Sequence, residues 1–291
     1  MAVSPFDWFR VGHWTERAAR TGCTVVSLDG QVVASGEVRG SAPATREFAL
    51  LEPTRTVESI NAVCLSGGSA FGLAAADGVV RALRERDVGF PTQHGVVPIV
   101  VGMSLYDLAV GSSETWPGQD QGAAALGSAT PEFEVGQVGA GTGATTGKWR
   151  GASETSAGGI GFSTASKGNA AVCALVAVNA VGDIVTNHDA RADIAAGDFD
   201  WPEAETTLGQ NTTIGVIATN VALTKSQCRT IAESGHDGLA RAIVPAHGPH
   251  DGDALVAVAK PEIEADLGHV QLLAAIAVET ATLSVAPATP A

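Results

Sequence analysis

Hydrophobic and polar positions change period several times along the chain, and the changes outline alternating strands and helices. Residues 24–28 and 31–34 flank Asp29-Gly30, a dipeptide suited to a type I′ turn, so this stretch predicts a β-hairpin. Residues 57–65 read as a strand running into Ser66-Gly67-Gly68-Ser69. Phe71, Ala75, Val79 and Leu83 then mark one face of a helix. Residues 97–101 form an extended run leading to Tyr106, and 170–178 a near-continuous apolar strand. Asn179-Ala180-Val181-Gly182-Asp183 makes a turn into Ile184-Val185. Residues 189–210 carry six acids, one arginine and no sustained period, which predicts an exposed connector, long for a compact domain. Beyond it come a strand at 212–219, a helix opened by the capping box Thr224-Lys225-Ser226-Gln227, a strand at 254–258 and a helix at about 262–282. Residues 285–291 form a Pro/Ala tail. The pattern is mixed α/β, two sets of apolar strands with helices to cover them.

Composition narrows the classes. With 291 residues and 45% hydrophobic content, one large core is within reach, and a single domain over 1–291 is expected. A net charge of −14 argues against a nucleic-acid partner. The N-terminus lacks a basic start and an apolar core, and no apolar stretch is long enough to span a bilayer, so no membrane partner and a cytoplasmic location are expected. Cys23, Cys64, Cys173 and Cys228 are widely spaced, mostly among apolar residues, and read as buried free thiols in a reducing compartment. His236, His247 and His250 read as loop residues, and no spacing suits a metal. Neither a metal nor an organic cofactor is expected.

Several motifs have competing readings. Gly139-Ala140-Gly141-Thr142-Gly143-Ala144 approximates a dinucleotide fingerprint, but no helical period follows and no acid sits about 20 residues on. The same loop ends in Gly147-Lys148 and approximates a P-loop, with Thr142 in place of the first glycine and Trp149 in place of the Ser/Thr. A nucleotide-binding protein built on residues 139–148 is the remote alternative. The loop's N–H groups are otherwise candidates for meeting an oxyanion, with Lys148 supplying positive charge. Taken alone, Lys148 reads as a surface lysine on a mobile loop. Ser69 lacks the final glycine of a nucleophile elbow. Asp251-Gly252-Asp253 is either an ordinary acidic turn or a carboxylate pair that orients a nucleophile.

The junction at residue 211 carries the most chemistry. An acidic, proline-bearing stretch gives way to Asn211-Thr212-Thr213-Ile214-Gly215-Val216-Ile217, a hydroxyl residue opening an apolar strand. Such a loop-to-strand step is common in α/β proteins. A threonine just after a scissile bond, however, becomes nucleophile and base together once its α-amine is freed. That amine has an ordinary pKa of about 8, so it takes a proton near neutrality without a large shift.

Together these residues resemble a family. Asn61-Ala62-Val63-Cys64-Leu65-Ser66-Gly67-Gly68-Ser69, the 138–144 loop, Val178-Asn179-Ala180-Val181-Gly182-Asp183, the 211–220 strand and Asp251-Gly252-Asp253 occur in the order found in the L-aminopeptidase/D-esterase and β-peptidyl aminopeptidase family, which includes the nylon-oligomer hydrolases. The resemblance runs from Gly12-His13 to about Lys260. It implies a self-processing N-terminal-nucleophile hydrolase with an αββα sandwich of the ornithine acetyltransferase type. Cleavage between Asn211 and Thr212 would give chains 1–211 and 212–291. The substrate class implied is small peptides, amino-acid amides or esters, or amide oligomers. By resemblance Thr212 is the nucleophile, Asn179 and Lys148 lie around it, Asp251 and Asp253 hold it in register, and Tyr106 lies at the pocket edge. A homo-oligomer, tetramer or larger, is implied as well. An acetyltransferase of the same fold, passing acetyl between ornithine and glutamate, is the nearest alternative.

Overall fold

The computed structural model describes residues 1–185 and 211–286. The predicted connector at 189–210 and the last five residues of the tail lie outside the described residues. Two five-stranded sheets organise the rest. The first contains β1 (Phe9–Glu16), β2 (Thr21–Leu28), β4 (Ala44–Arg46), β5 (Ala62–Ser66) and β6 (Val100–Ser104), in the order β1-β2-β5-β6-β4. The second contains β3 (Val33–Val38), β7 (Gly159–Lys167), β8 (Ala170–Asn179), β9 (Thr212–Val221) and β10 (Ala254–Ile263), in the order β7-β8-β9-β10-β3. Each sheet has one parallel pair, β5 with β6 and β9 with β10, and its other pairs are antiparallel.

Alternation along the strands builds the layers. In β8, Cys173, Leu175 and Ala177 enter the core between the sheets, while Val172, Ala174, Val176 and Val178 pack against helices on the outer face. Both faces are buried, which is why residues 170–178 read as a continuous apolar run. β10 behaves alike, with Val256 and Val258 inward and Leu255 and Ala257 outward. The outer helices of this sheet are α3 (Lys225–Ala242) and α4 (Leu267–Leu283). In α4, Val270, Leu273, Ala274, Ala277, Val278 and Ala281 are buried, one stripe at helical spacing. The first sheet carries α1 (Ala75–Glu85) and α2 (Gln119–Gly127), packed through Val79, Leu83, Ala125 and Leu126. The result is the expected αββα sandwich.

The structure corrects the sequence reading in several places. Strands β2 and β3 do not form a hairpin across Asp29-Gly30: they belong to different sheets. Val26 and Leu28 on one side, and Val32 and Ala34 on the other, all enter the inter-sheet core. Stacking across the core buries apolar faces that side-by-side pairing would have left half exposed. The 57–65 strand shortens to Ala62–Ser66, and the run at 97–101 is divided at Pro98, which has no N–H to donate: Val97 ends a short strand from Gly95, and a sheet strand begins at Val100. All four cysteines are buried and free, as expected.

The capping box at Thr224 is formed, with Gln227 N donating to Thr224 Oγ1 at 3.3 Å and Thr224 N to Gln227 Oε1 at 2.8 Å. Between them Lys225 turns inward. Its ammonium donates to the carbonyls of Leu50, Arg55 and Val57 at 2.7, 2.9 and 2.7 Å, tying the segment before β5 to α3. Lys225→Met keeps the stem but strips three carbonyls of a charged donor. It is expected to lower unfolding free energy by about 3 kcal/mol, measured as a fall in the urea midpoint at unchanged slope.

Candidate active site

Thr212 is the first residue of β9 and lies opposite Asn179, the last residue of β8. Both follow the parity that points Leu175, Ala177, Ile214 and Val216 between the sheets, so the pair sits at one end of the inter-sheet core. Thr212 is buried, and its hydroxyl lies against the carbonyl oxygen of Asn211. The Asn211 carbonyl also accepts the N–H of Gly252 at 3.0 Å. Asn211 and Asp251 form a parallel bridge, so the 251–253 turn lies directly beside the junction. A side chain at Gly252 would place its Cβ 2.7 Å from Thr212 Oγ1 and 2.7 Å from the Ala42 carbonyl, so only glycine allows the turn this close.

The turn brings both carboxylates into the interior. Asp253 is buried; Oδ1 accepts the N–H of Thr213 at 2.6 Å, and Oδ2 faces His247 Nδ1 at 2.8 Å. Asp251 is buried too, and its Oδ2 accepts the N–H of Gly248 at 2.7 Å. Burial first, then the charge of Asp253, push the Asp251 carboxyl up to about 7, against the pull of the Gly248 N–H, Lys148 and the Val181 main chain.

Lys148 is a half-buried residue with its ammonium enclosed by protein. The ammonium donates to Asn179 Oδ1 at 2.9 Å and to the Asn179 carbonyl at 3.1 Å. Its anchor is the next residue: Trp149 is buried, and its indole N–H donates to Asp183 Oδ2 at 3.0 Å. The N–H groups of Gly147 and Trp149 bond the carbonyls of Gly182 and Val181, just past β8. The reading of Lys148 as a mobile surface lysine is therefore corrected. Burial lowers its pKa to about 7, and the charges of Asp251 and Asp253 oppose that fall. Asn179 Oδ1 also accepts the N–H of Thr145 at 3.0 Å, and Asn179 Nδ2 donates to the carbonyl of Tyr106 at 2.9 Å. Tyr106 thus meets Asn179 through its main chain, just past β6 of the other sheet.

Five N–H groups of the glycine loop, which the sequence offered to an anion, are engaged within the protein. The N–H of Gly139 goes to Thr15 Oγ1 and that of Ala140 to Thr24 Oγ1, while those of Gly141, Thr142 and Ala144 close turns within the loop. Gly139 has φ +51°, and a Cβ there would lie 2.2 Å from Thr24 Oγ1, so packing under the first sheet requires that glycine. Among the described residues no group of three or more His, Cys, Asp and Glu is placed to hold a metal ion.

The sequence profile of peptidase family S58 matches residues 8–289. The chain belongs to peptidase family S58. An uncharacterized aminopeptidase of Mycobacterium tuberculosis is 40% identical over 286 residues, covering 89% of this chain and 81% of its own. A 6-aminohexanoate-oligomer endohydrolase of Kocuria sp. is 32% identical over 277 residues, covering 89% of this chain and 75% of its own. Among solved structures, the L-aminopeptidase D-Ala-esterase/amidase of Ochrobactrum anthropi, described as a variant of the Ntn hydrolase fold, matches with a TM-score of 0.75 at 20% identity. It covers 98% of this chain and 86% of its own. A Burkholderia sp. β-aminopeptidase matches with a TM-score of 0.73. The S58 protein is a hydrolase of peptide or amide bonds.

Three residues of this S58 hydrolase stand close to the site although no motif marks them in the sequence. His247 contacts Asp253 from six residues upstream. His236, read as a loop residue, is buried within α3, its Nε2 3.1 Å from the Glu37 carbonyl and its ring 4.9 Å from that of His247. Asp107 is buried beside Tyr106, where it accepts the Gly68 N–H and the Thr21 hydroxyl, each at 2.7 Å. Asp107 carries one sequence signal, an acid directly after an apolar run. The two histidines carry none.

Proposed function

We propose that this chain is a self-processing N-terminal-threonine hydrolase that cuts its own Asn211–Thr212 bond and then cleaves amide or ester bonds of small peptides, amino-acid amides or amide oligomers. The observation that carries the reading is the Thr212 hydroxyl lying against the Asn211 carbonyl, with a donor already on that carbonyl's oxygen. In the first stage Oγ1 attacks the Asn211 carbonyl carbon. Negative charge develops on the Asn211 oxygen, where the Gly252 N–H meets it. The C–N bond breaks, the departing Thr212 nitrogen takes up the hydroxyl proton, and an ester joins Asn211 to Oγ1. Water then hydrolyses the ester, releasing the Asn211 carboxylate and leaving Thr212 with a free α-amine beside its hydroxyl.

In turnover the α-amine accepts the hydroxyl proton as Oγ1 attacks the substrate carbonyl, and returns it to the leaving amine. Asn179 Nδ2, fixed on one side by the Tyr106 carbonyl, donates to the tetrahedral oxyanion. Lys148 orients Asn179 by holding Oδ1, so the amide presents its N–H groups away from Lys148. Asp253 holds the β9 backbone through the Thr213 N–H. The 40%-identical aminopeptidase and the 32%-identical 6-aminohexanoate-oligomer endohydrolase support amide substrates.

The test is intact mass after expression, with N-terminal sequencing of any small fragment. A fragment beginning Thr212-Thr213-Ile214-Gly215 is the expected product. A single chain of 29.3 kDa that stays uncut on long incubation would remove the proposal.

A further inference from the structure

His247 makes contacts that narrow its charge state to two arrangements. Its Nδ1 lies 2.8 Å from Asp253 Oδ2, and its Nε2 lies 3.3 Å from the main-chain carbonyl of His236. A carbonyl accepts only, so Nε2 carries a proton. A carboxylate also accepts only, so Nδ1 carries one as well. The ring is then an imidazolium, or else Asp253 is the protonated partner. Three further contacts favour the first arrangement. The His247 main-chain N–H also points to Asp253 Oδ2 at 3.3 Å, and the Thr213 N–H to Oδ1, so Asp253 has donors on both oxygens. Asp251 has one carboxyl oxygen on the Gly248 N–H, while its buried Oδ1 has the Val181 main chain nearby but outside hydrogen-bond geometry. An extra proton is therefore better placed on Asp251, where it adds a donor, than on Asp253, where it would displace one.

We infer that His247 is a positioning residue, an imidazolium that holds Asp253 as a carboxylate so that the proton of the two-carboxylate turn beside Thr212 resides on Asp251. The surrounding groups agree. His236, whose ring contacts that of His247, directs Nε2 to the Glu37 carbonyl and buries Nδ1 without a hydrogen-bond partner among the described residues, which makes it a neutral ring. Burial holds it down at about 4. Arg39, which pairs with Asp237 of α3 and approaches Glu37, opposes a positive His247. Lys148, on the other side, is attracted to both carboxylates. For His247 itself burial disfavours the charge, but the hydrogen bond and charge of Asp253 outweigh it, and the net direction is upward. Its folded value thus lies above its unfolded one. The stabilisation it brings is complete below about 6.5 and is lost as pH rises through the folded value.

The consequence for catalysis rests on Thr212 being the nucleophile; the charge assignment does not. Two experiments separate them. In ¹⁵N-histidine-labelled Thr212→Ala protein, kept whole and inactive, both ring nitrogens of His247 are expected to be protonated at pH 7. Adding Asp253→Asn should drop the titration midpoint to about 6.5 or below. A ring with one protonated nitrogen at pH 7 overturns the inference, whatever the activity data say. In the otherwise native chain, His247→Gln lets Asp253 compete for the proton. The acid limb of kcat/KM should then move up by about one pH unit, with KM changed less than about twofold. An unmoved acid limb in a folded His247→Gln enzyme overturns the positioning role. Activity surviving in Thr212→Ala would instead discredit the nucleophile, and the nitrogen spectra would then decide the charge of His247 by themselves.

Discussion

Thr212→Ala is expected to give one uncut chain and to abolish hydrolysis, with kcat/KM down by about five to six orders of magnitude, the scale on which a covalent nucleophile is lost. The substitution removes a hydroxyl and a methyl group and leaves the strand intact, because Thr212 pairs through its backbone with Asn179 and Asp253 bonds the neighbouring Thr213 N–H. Unfolding curves should therefore move by less than about 1 kcal/mol. Thr212→Ser, which keeps the oxygen, should still cut itself. Two readings decide the matter, the mass of the purified chain and the release of amine from a small amide. A Thr212→Ala chain that divides normally at 211/212 would place the nucleophile elsewhere.

Lys148→Met carries the next largest effect, a fall of roughly 100- to 1000-fold in turnover, the size expected when a donor network around an oxyanion fails. Methionine fills the space of the lysine stem but gives Asn179 Oδ1 no ammonium, leaving the Thr145 N–H to hold that oxygen. It also removes a positive charge that acts on Asp251. The sign follows from that charge. Lys148 pulls the Asp251 carboxyl down, so without it Asp251 rises above about 7 and stays protonated to higher pH. The activity limb that reports Asp251 should shift to the alkaline side, read from kcat/KM between pH 5 and 9. Because the lysine and the carboxyl titrate in the same range, the native profile describes the pair and not either residue alone. Wild-type turnover with an unmoved limb would leave Lys148 without a part in the chemistry.

Much of this protein was determined by its sequence alone, where the signal was local. The run at 170–178 had to be a strand buried on both faces, because nine consecutive apolar residues leave neither face of a strand to polar side chains. The Thr224 box had to start a helix, and Cys64 and Cys173, set among apolar neighbours, had to be buried. The step from an acidic connector into Thr212 and the Asp251-Gly252-Asp253 turn were visible as separate candidates. Tertiary structure decided how they meet. Alternation in β8 and β9 puts Asn179 and Thr212 on the same face, but only their register makes them neighbours. Asp29-Gly30 was locally a good hairpin turn, yet burial of two apolar faces across one core outweighed pairing between adjacent strands. The glycine loop had the composition of an anion cradle, but the N–H groups of Gly139 and Ala140 are taken by threonines of the first sheet and those of Gly141, Thr142 and Ala144 by its own turns. Lys148 was indistinguishable from a surface lysine until Trp149 and the turn after β8 enclosed it. His247 had no signal at all, because an ion pair depends on where side chains arrive in space. Sequence period determines which face is buried; which charges then share that buried space depends on packing between distant segments.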